Sequence, residues 1–439
     1  MTESCFAFRV TGGWLRDLAS EPTPGKVWPC IDWDEPLERD QRRFLDVQRE
    51  VGVDIHAVWG LFVNRAWPVE LRQTVGPARA DQIERLVAAA HQRKLLVMSG
   101  VGIYSWGFED IIAANPGVAS GSRRAMCLSK PAAWDWQRRV LDFIMDPRWQ
   151  LDGVSMQSAD QGRCECRECC QLTPAEYHAA ILTRSAAYIR ANRPDWVIGQ
   201  ASWGLPLENV ADLPALAEIA DAVDYMVEVN EIPGRANRLS RISHFDCAYG
   251  TVGGVFIEPP QHWDRLRWCV PCGLRSARSL QTLWDEGGHA CEYFFRPFAN
   301  PVEEVSWRTG GHFLSDPYQT PEECLRRSVK EVYRVSGPAS DDLTDWFKRA
   351  EDAYFSRSSF TAGSGPLSLE PLIWNVDPAA VGPAVYLLDW LTPAARQDYA
   401  TDLAALKADF QALSIPDPVL KHKTITALQG TLNDLAALL

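Results

Sequence analysis

The residues best suited to chemistry in this 439-residue chain are acids placed at or just after short apolar runs. Asp160 follows DGVSMQS, Glu228 lies in AVDYMVEVN with Asn230 at its end, Glu258 closes GGVFIE, and Glu292 and Arg296 lie in ACEYFFRPF. Two carboxyl groups facing each other across a cleft suit glycosidic bond cleavage: one protonates the leaving oxygen while the other attacks the anomeric carbon or activates water. Glu228 and Glu258 fall on consecutive runs. If those runs are adjacent parallel strands, about 4.8 Å apart, the pair can approach the roughly 5.5 Å of a retaining enzyme; Asp160 suits a wider gap. The simpler role for any one acid is to cap the next helix or pair with an arginine, but their repetition at strand ends argues for chemistry.

Flat rings and polar groups accompany these acids. His56 and Trp59 lie in the second run, Tyr104 and Trp106 at and after the third, Gln161 beside Asp160, Trp203 after the fifth, and Trp263 after the seventh. With Asn230 and Arg296 they are candidate substrate contacts, the rings stacking on apolar sugar faces and the polar groups bonding hydroxyls. Each ring alone is more often core, and 18 tryptophans leave enough for both roles.

The segment GRCECRECC adds a different chemistry. Cys164, Cys166 and Cys169 are candidate ligands of a structural zinc, and Cys169 and Cys170 are adjacent, so one of them is expected to point inward. A closed zinc site needs four ligands, hence a further Cys or His from elsewhere; the alternative is reduced, buried thiols or one oxidised pair. WCVPC (268–272) matches a disulfide-oxidoreductase pattern but lacks the small redox-domain frame, so a structural role is favoured.

The elements that must position these residues alternate between strand-like and helical stretches, the pattern of βα units around a parallel sheet. Strands are expected at 5–10, 53–62, 95–104, 152–158, 196–203, 222–230, 253–260 and 290–298. Helices are expected near 37–51, 81–94 and 131–145, after Thr173 with Pro174 at the first helical position, and over LPALAEIA. Eight units, with no Gly-rich phosphate loop after the first strand, favour a (β/α)8 TIM barrel over a doubly wound sheet. Beyond about residue 300 the chain turns helical, so the expectation is an α/β catalytic barrel over 1–300 and a C-terminal helical region over 301–439 packed on it.

Composition limits the partners. A net charge of −13, from 57 acidic and 44 basic residues, argues against nucleic acid and anionic membranes, which call for a basic surface. No apolar run reaches membrane-spanning length, and the N-terminus lacks a basic region followed by a long apolar core, so the chain is read as cytoplasmic. Twelve cysteines spread through so long a chain do not form a secreted disulfide framework.

The stretch DGVSMQSADQGRCECRECC, followed by a helix and ANRPDWVIGQASW, resembles the middle of glycoside hydrolases related to family 20 hexosaminidases, and in particular the family 163 type. The resemblance covers the central third of the chain and otherwise only its layout. It implies a catalytic (β/α)8 barrel acting on a glycan, with N-acetylhexosamine among the candidate sugars. In the family 20 type an Asp–Glu pair after strand four works by substrate assistance; Asp160 matches the Asp, but Gln161 stands where the Glu would be, and an amide cannot serve as the acid. The resulting expectation is a glycoside hydrolase with Glu228 and Glu258 as acid and nucleophile, Asp160 as a polariser, a carbohydrate substrate and no required cofactor. An oligomer is left open. A non-catalytic carbohydrate-binding barrel and a metal-dependent hydrolase or lyase are the alternatives.

Overall fold

The computed structural model describes residues 5–14, 35–63, 66–157, 162–201, 210–227, 271–285, 287–294, 300–355 and 393–436. Seven strands, β1 (Phe8–Trp14), β2 (Ile55–Trp59), β3 (Leu96–Gly102), β4 (Gly153–Gln157), β5 (Val197–Ala201), β6 (Tyr225–Val227) and β7 (Ala290–Phe294), form one sheet in the order β6-β5-β4-β3-β2-β1-β7. Every pairing is parallel. The sheet curls into a nearly closed barrel, giving a TIM-like α/β architecture with C-terminal helices. β7 is the run expected as strand eight; the expected strand at 253–260 lies outside the described residues.

Parallel strands covered on both faces are apolar throughout rather than alternating, and β2 and β4 are buried at every position. Period 2 still sorts the side chains. Val10, Ile55, Ala57, Trp59, Met98, Ala201, Tyr225, Val227 and Ala290 form the interior cluster, while Val58, Val97, Val101, Val154, Met156, Ile198 and Met226 join the larger core beneath the helices. The first strand runs beyond the expected 5–10, through a Gly12-Gly13 pair. Pairing with β2 holds both glycines in the sheet, and Gly12 pairs with β7 as well.

The covering helices are α1 (Glu35–Val51), α2 (Pro77–Gln92), α3 (Glu109–Ala114), α4 (Pro131–Ile144), α5 (Pro174–Asn192), α6 (Leu213–Ala222) and α7 (Gly273–Asp285). Thr173 and Glu176 make a reciprocal capping box that starts α5, as the Thr-Pro pair implied. Next come α8 (Pro301–Ser315), α9 (Pro321–Tyr333), α10 (Pro338–Phe355), α11 (Pro393–Ala412) and α12 (Pro418–Ala436). A second core around Tyr333, Trp346, Phe347, Tyr399 and Phe410 holds this region together.

The division expected at residue 300 falls at the start of a helix that serves both cores. In α8, Val302 and Val305 belong to the second core, and Trp307, Phe313 and Leu314 to the barrel core. Trp307 also donates from its indole nitrogen to the Thr11 hydroxyl of β1 at 3.2 Å.

Acids at the N-terminal ends of strands have structural partners. Asp152, just before β4, accepts from the Val97 backbone N–H at 2.7 Å and pairs with His91 at 2.8 Å. Asp224, just before β6, accepts from the Ile198 N–H at 2.7 Å and pairs with Arg190. These groups pin neighbouring strands at the face opposite the βα loops, where a barrel keeps stability rather than chemistry.

Candidate functional site at the barrel interior and its βα loops

Of the residues expected to do chemistry, Asp160, Gln161, Trp203, Glu228, Asn230, Glu258, Trp263 and Arg296 lie outside the described residues. The strands leading to several of them are described. β4 ends at Gln157, three residues before Asp160, and β6 ends at Val227, directly before Glu228. Because all strands run parallel, both ends open on the same face.

The structure brings Trp59 and Trp106 together and separates them from His56. Trp59 points into the barrel and meets Trp106 with ring centroids 5.7 Å apart at 55°. Both are buried, at 1% and 3% exposure, so the pair is packed rather than an open shelf. His56, three residues before Trp59 on the same strand, points the other way, toward the helices. Its ring lies 6.0 Å from that of Phe44 on α1, and burial draws its pKa down to about 4, keeping it neutral. The structure does not group His56 with the interior side chains.

Tyr104, just past β3, is 3% exposed and packs in the larger core rather than presenting an open face, with φ of 59°, a left-handed backbone unusual for a bulky residue. Two contacts hold it there: its N–H donates to the Gln137 side-chain oxygen at 3.1 Å, and its carbonyl accepts from the Met126 N–H at 2.7 Å. Such strain persists only where surroundings over-determine it, and it gathers at functional loops.

One of the strand acids singled out in the sequence, though not assigned a catalytic role there, sits inside the barrel. Glu292 on β7 is fully buried, and its Oε1 accepts from the Tyr225 hydroxyl at 2.7 Å and from the Ser155 hydroxyl. Burial pushes its pKa up, against the opposing pull of Ser155 and Tyr225. The sequence shows Glu292 as a strand acid, but not that β4 and β6 supply its partners. Its neighbours need room: a Cβ on Gly199 would lie 2.2 Å from the Tyr225 ring, and one on Gly100 would lie 2.2 Å from the Trp59 ring.

The cysteine segment lies in the loop between β4 and α5 and is joined there by a residue from the loop between β3 and α4. The sulfurs of Cys127, Cys164, Cys166 and Cys169 all lie within 4.8 Å of one another. Cys170 is exposed, so Cys169 is the member of the adjacent pair that turns inward. The Cys169 N–H facing Cys166 draws that thiol down to about 6, whereas burial pushes Cys169 up to about 11. In WCVPC, Cys272 is buried at the start of α7 with its thiol pushed well up by burial, the reverse of an activated redox cysteine; Cys269 lies outside the described residues.

No protein-family model matches the chain, and no curated protein matches it. Solved structures do. A Thermobaculum terrenum O-GlcNAc hydrolase mutant superposes with a TM-score of 0.50 at 11% identity, covering 98% of this chain and 83% of that one. A GH138 enzyme described as targeting pectin rhamnogalacturonan II superposes with a TM-score of 0.58 at 9% identity, covering 98% and 69%. The chain therefore shares the barrel fold of structures that are glycoside hydrolases. At these identities the likeness concerns the fold, and it does not single out the family 163 type.

Proposed function

We propose that this protein is a glycoside hydrolase of the family 163 type that cleaves a glycosidic bond in an oligosaccharide or glycoconjugate. The observation that supports the reading is the common direction of the strand ends: β4 and β6, which precede Asp160 and Glu228 in the sequence, are parallel and end on the face where barrel enzymes build their sites. Fold likeness over 98% of this chain to an O-GlcNAc hydrolase and to a GH138 enzyme targeting pectin rhamnogalacturonan II supports it. Glu228 and Glu258 are assigned as acid and nucleophile or base, and Asp160 as the group that orients the substrate. Gln161 is a hydrogen-bonding contact, because its amide can hold a sugar hydroxyl but cannot protonate a leaving oxygen. Trp203, Asn230, Trp263 and Arg296 complete the sugar contacts.

Screening against aryl glycosides, N-acetylhexosaminides included, tests this. Hydrolysis of at least one glycoside is expected. No hydrolysis, together with calorimetric binding of the same sugars, would make the barrel a carbohydrate-binding module. Activity that disappears with a chelator and returns with a divalent metal would move the chemistry to a metal-dependent hydrolase.

A further inference from the structure

We propose that Cys127, Cys164, Cys166 and Cys169 bind one zinc ion in a closed four-thiolate site that ties the loop after β3 to the loop after β4. The sulfur geometry fits this ion. Four thiolates about 2.3 Å from a zinc at tetrahedral corners stand about 3.8 Å from one another. Cys127 Sγ lies 3.7 Å from Cys166 Sγ and 3.8 Å from Cys169 Sγ. A disulfide would bring two sulfurs to about 2.0 Å, and all four cysteines are free.

The surroundings suit a bound thiolate cluster. Four thiolates around one Zn²⁺ carry a net charge of −2, which burial makes costly unless donors face the sulfurs. The Cys169 backbone N–H donates to Cys166 Sγ at 3.4 Å. The Ser129 hydroxyl adds a contact to Cys127 Sγ at 3.1 Å. Cys127, Cys164 and Cys169 are at most 1% exposed, so four protein ligands leave no open position for substrate or water and the ion is structural. Binding releases the thiol protons to solvent and leaves oxidation states unchanged.

Cys127 lies 37 residues before Cys164, so the ion closes a long loop between two neighbouring βα segments. Tyr177 on α5 already spans the same junction: its hydroxyl donates to the Met126 carbonyl at 2.9 Å and accepts from the Cys164 N–H at 3.4 Å. Met126 in turn holds the Tyr104 carbonyl. The ion thus anchors the junction of the segments that follow β3 and β4, where Met126 holds Tyr104, whatever reaction the barrel performs.

The full-length protein, purified under reducing conditions after expression with added zinc, is tested by elemental analysis and by the visible spectrum of its cobalt-substituted form. About one zinc per chain is expected in the parent and in Cys170→Ser, with the intense cobalt absorption and sulfur charge-transfer band of a tetrahedral thiolate site. Cys127→Ser should lose most of its zinc and shift that spectrum. Should Cys127→Ser fail to fold, the parent decides alone: a cobalt spectrum without thiolate bands, or less than about 0.2 zinc per chain after loading, overturns the site. So does a folded Cys127→Ser with full zinc and an unchanged spectrum.

Discussion

The Tyr225 hydroxyl donates to Oε1 of Glu292 at 2.7 Å, joining the two strands at opposite ends of the sheet order. Ser155, on β4, donates to the same oxygen. Glu292→Ala removes the acceptor used by both hydroxyls and should lower stability by about 1–3 kcal/mol. Glu292→Gln, which keeps an acceptor oxygen, should cost less. Urea denaturation reads the difference, and an alanine variant as stable as the parent would contradict the role.

The interior glycines are spacers for rings. In Gly199→Ala the new methyl would meet the buried Tyr225 ring, and in Gly100→Ala the buried Trp59 ring. Each substitution should cost about 1–3 kcal/mol through overpacking. Combining Gly100→Ala with Trp59→Leu should recover part of that loss in a double-mutant cycle. Independent, additive losses would show that the clash is relieved some other way.

Arg308 on α8 is 6% exposed and bonds Glu50 of α1 at 2.6 Å, Glu304 at 3.0 Å and Glu331 of α9 at 3.2 Å. Arg308→Ala takes one of two arginine partners from the buried Glu304 carboxylate, which keeps Arg43, and should destabilise the fold by about 1.5–3 kcal/mol. Arg278→Ala, which breaks an exposed pair with Glu322, should cost at most about 1 kcal/mol. Thermal melting of the two variants checks the contrast.

Acid sensitivity should come partly from Glu331. Burial raises its pKa, but His312, Arg327 and Arg308 outweigh that and hold it at about 2, below its ordinary 4.5. A carboxyl depressed in the fold binds its proton later than in the unfolded chain. Its contribution is therefore present above pH 4.5 and is lost as pH falls from 4.5 toward 2. In Glu331→Gln, stability should fall less steeply over that window; an unchanged slope in equilibrium denaturation would rule the contribution out.

Much of the barrel is legible in the sequence because doubly covered strands are short apolar runs and several of the helices between them open on Pro, as at Pro77, Pro131 and Pro174. The failures have local causes. The strand is expected to stop before Gly12-Gly13 because glycine carries no strand preference; pairing of both with β2, and of Gly12 with β7, makes them strand. Helix α7 follows WCVPC, whose cysteines draw attention away from the amphipathic stretch behind them. His56 and Trp59 were grouped as one site although residues three apart on a strand face opposite ways, a constraint available from the sequence itself.

The long-range partners were not legible. Cys127 stands alone in sequence, so spacing rules reveal three clustered cysteines and the need for a fourth ligand without naming it. Glu292 is visible as an acid in a strand. Its hydrogen bonds to Ser155 and Tyr225 span 137 and 67 residues, and only barrel closure brings them together.

The central claim is tested most directly by kcat/KM on a cleaved glycoside, measured for the parent and for Glu228→Gln and Glu258→Gln with folding checked by melting. An acid or nucleophile reduced to an amide should lower kcat/KM by about 100-fold or more, and we expect that loss in both variants. Full activity in both would contradict the assignment of the acids and, with it, this account of the site.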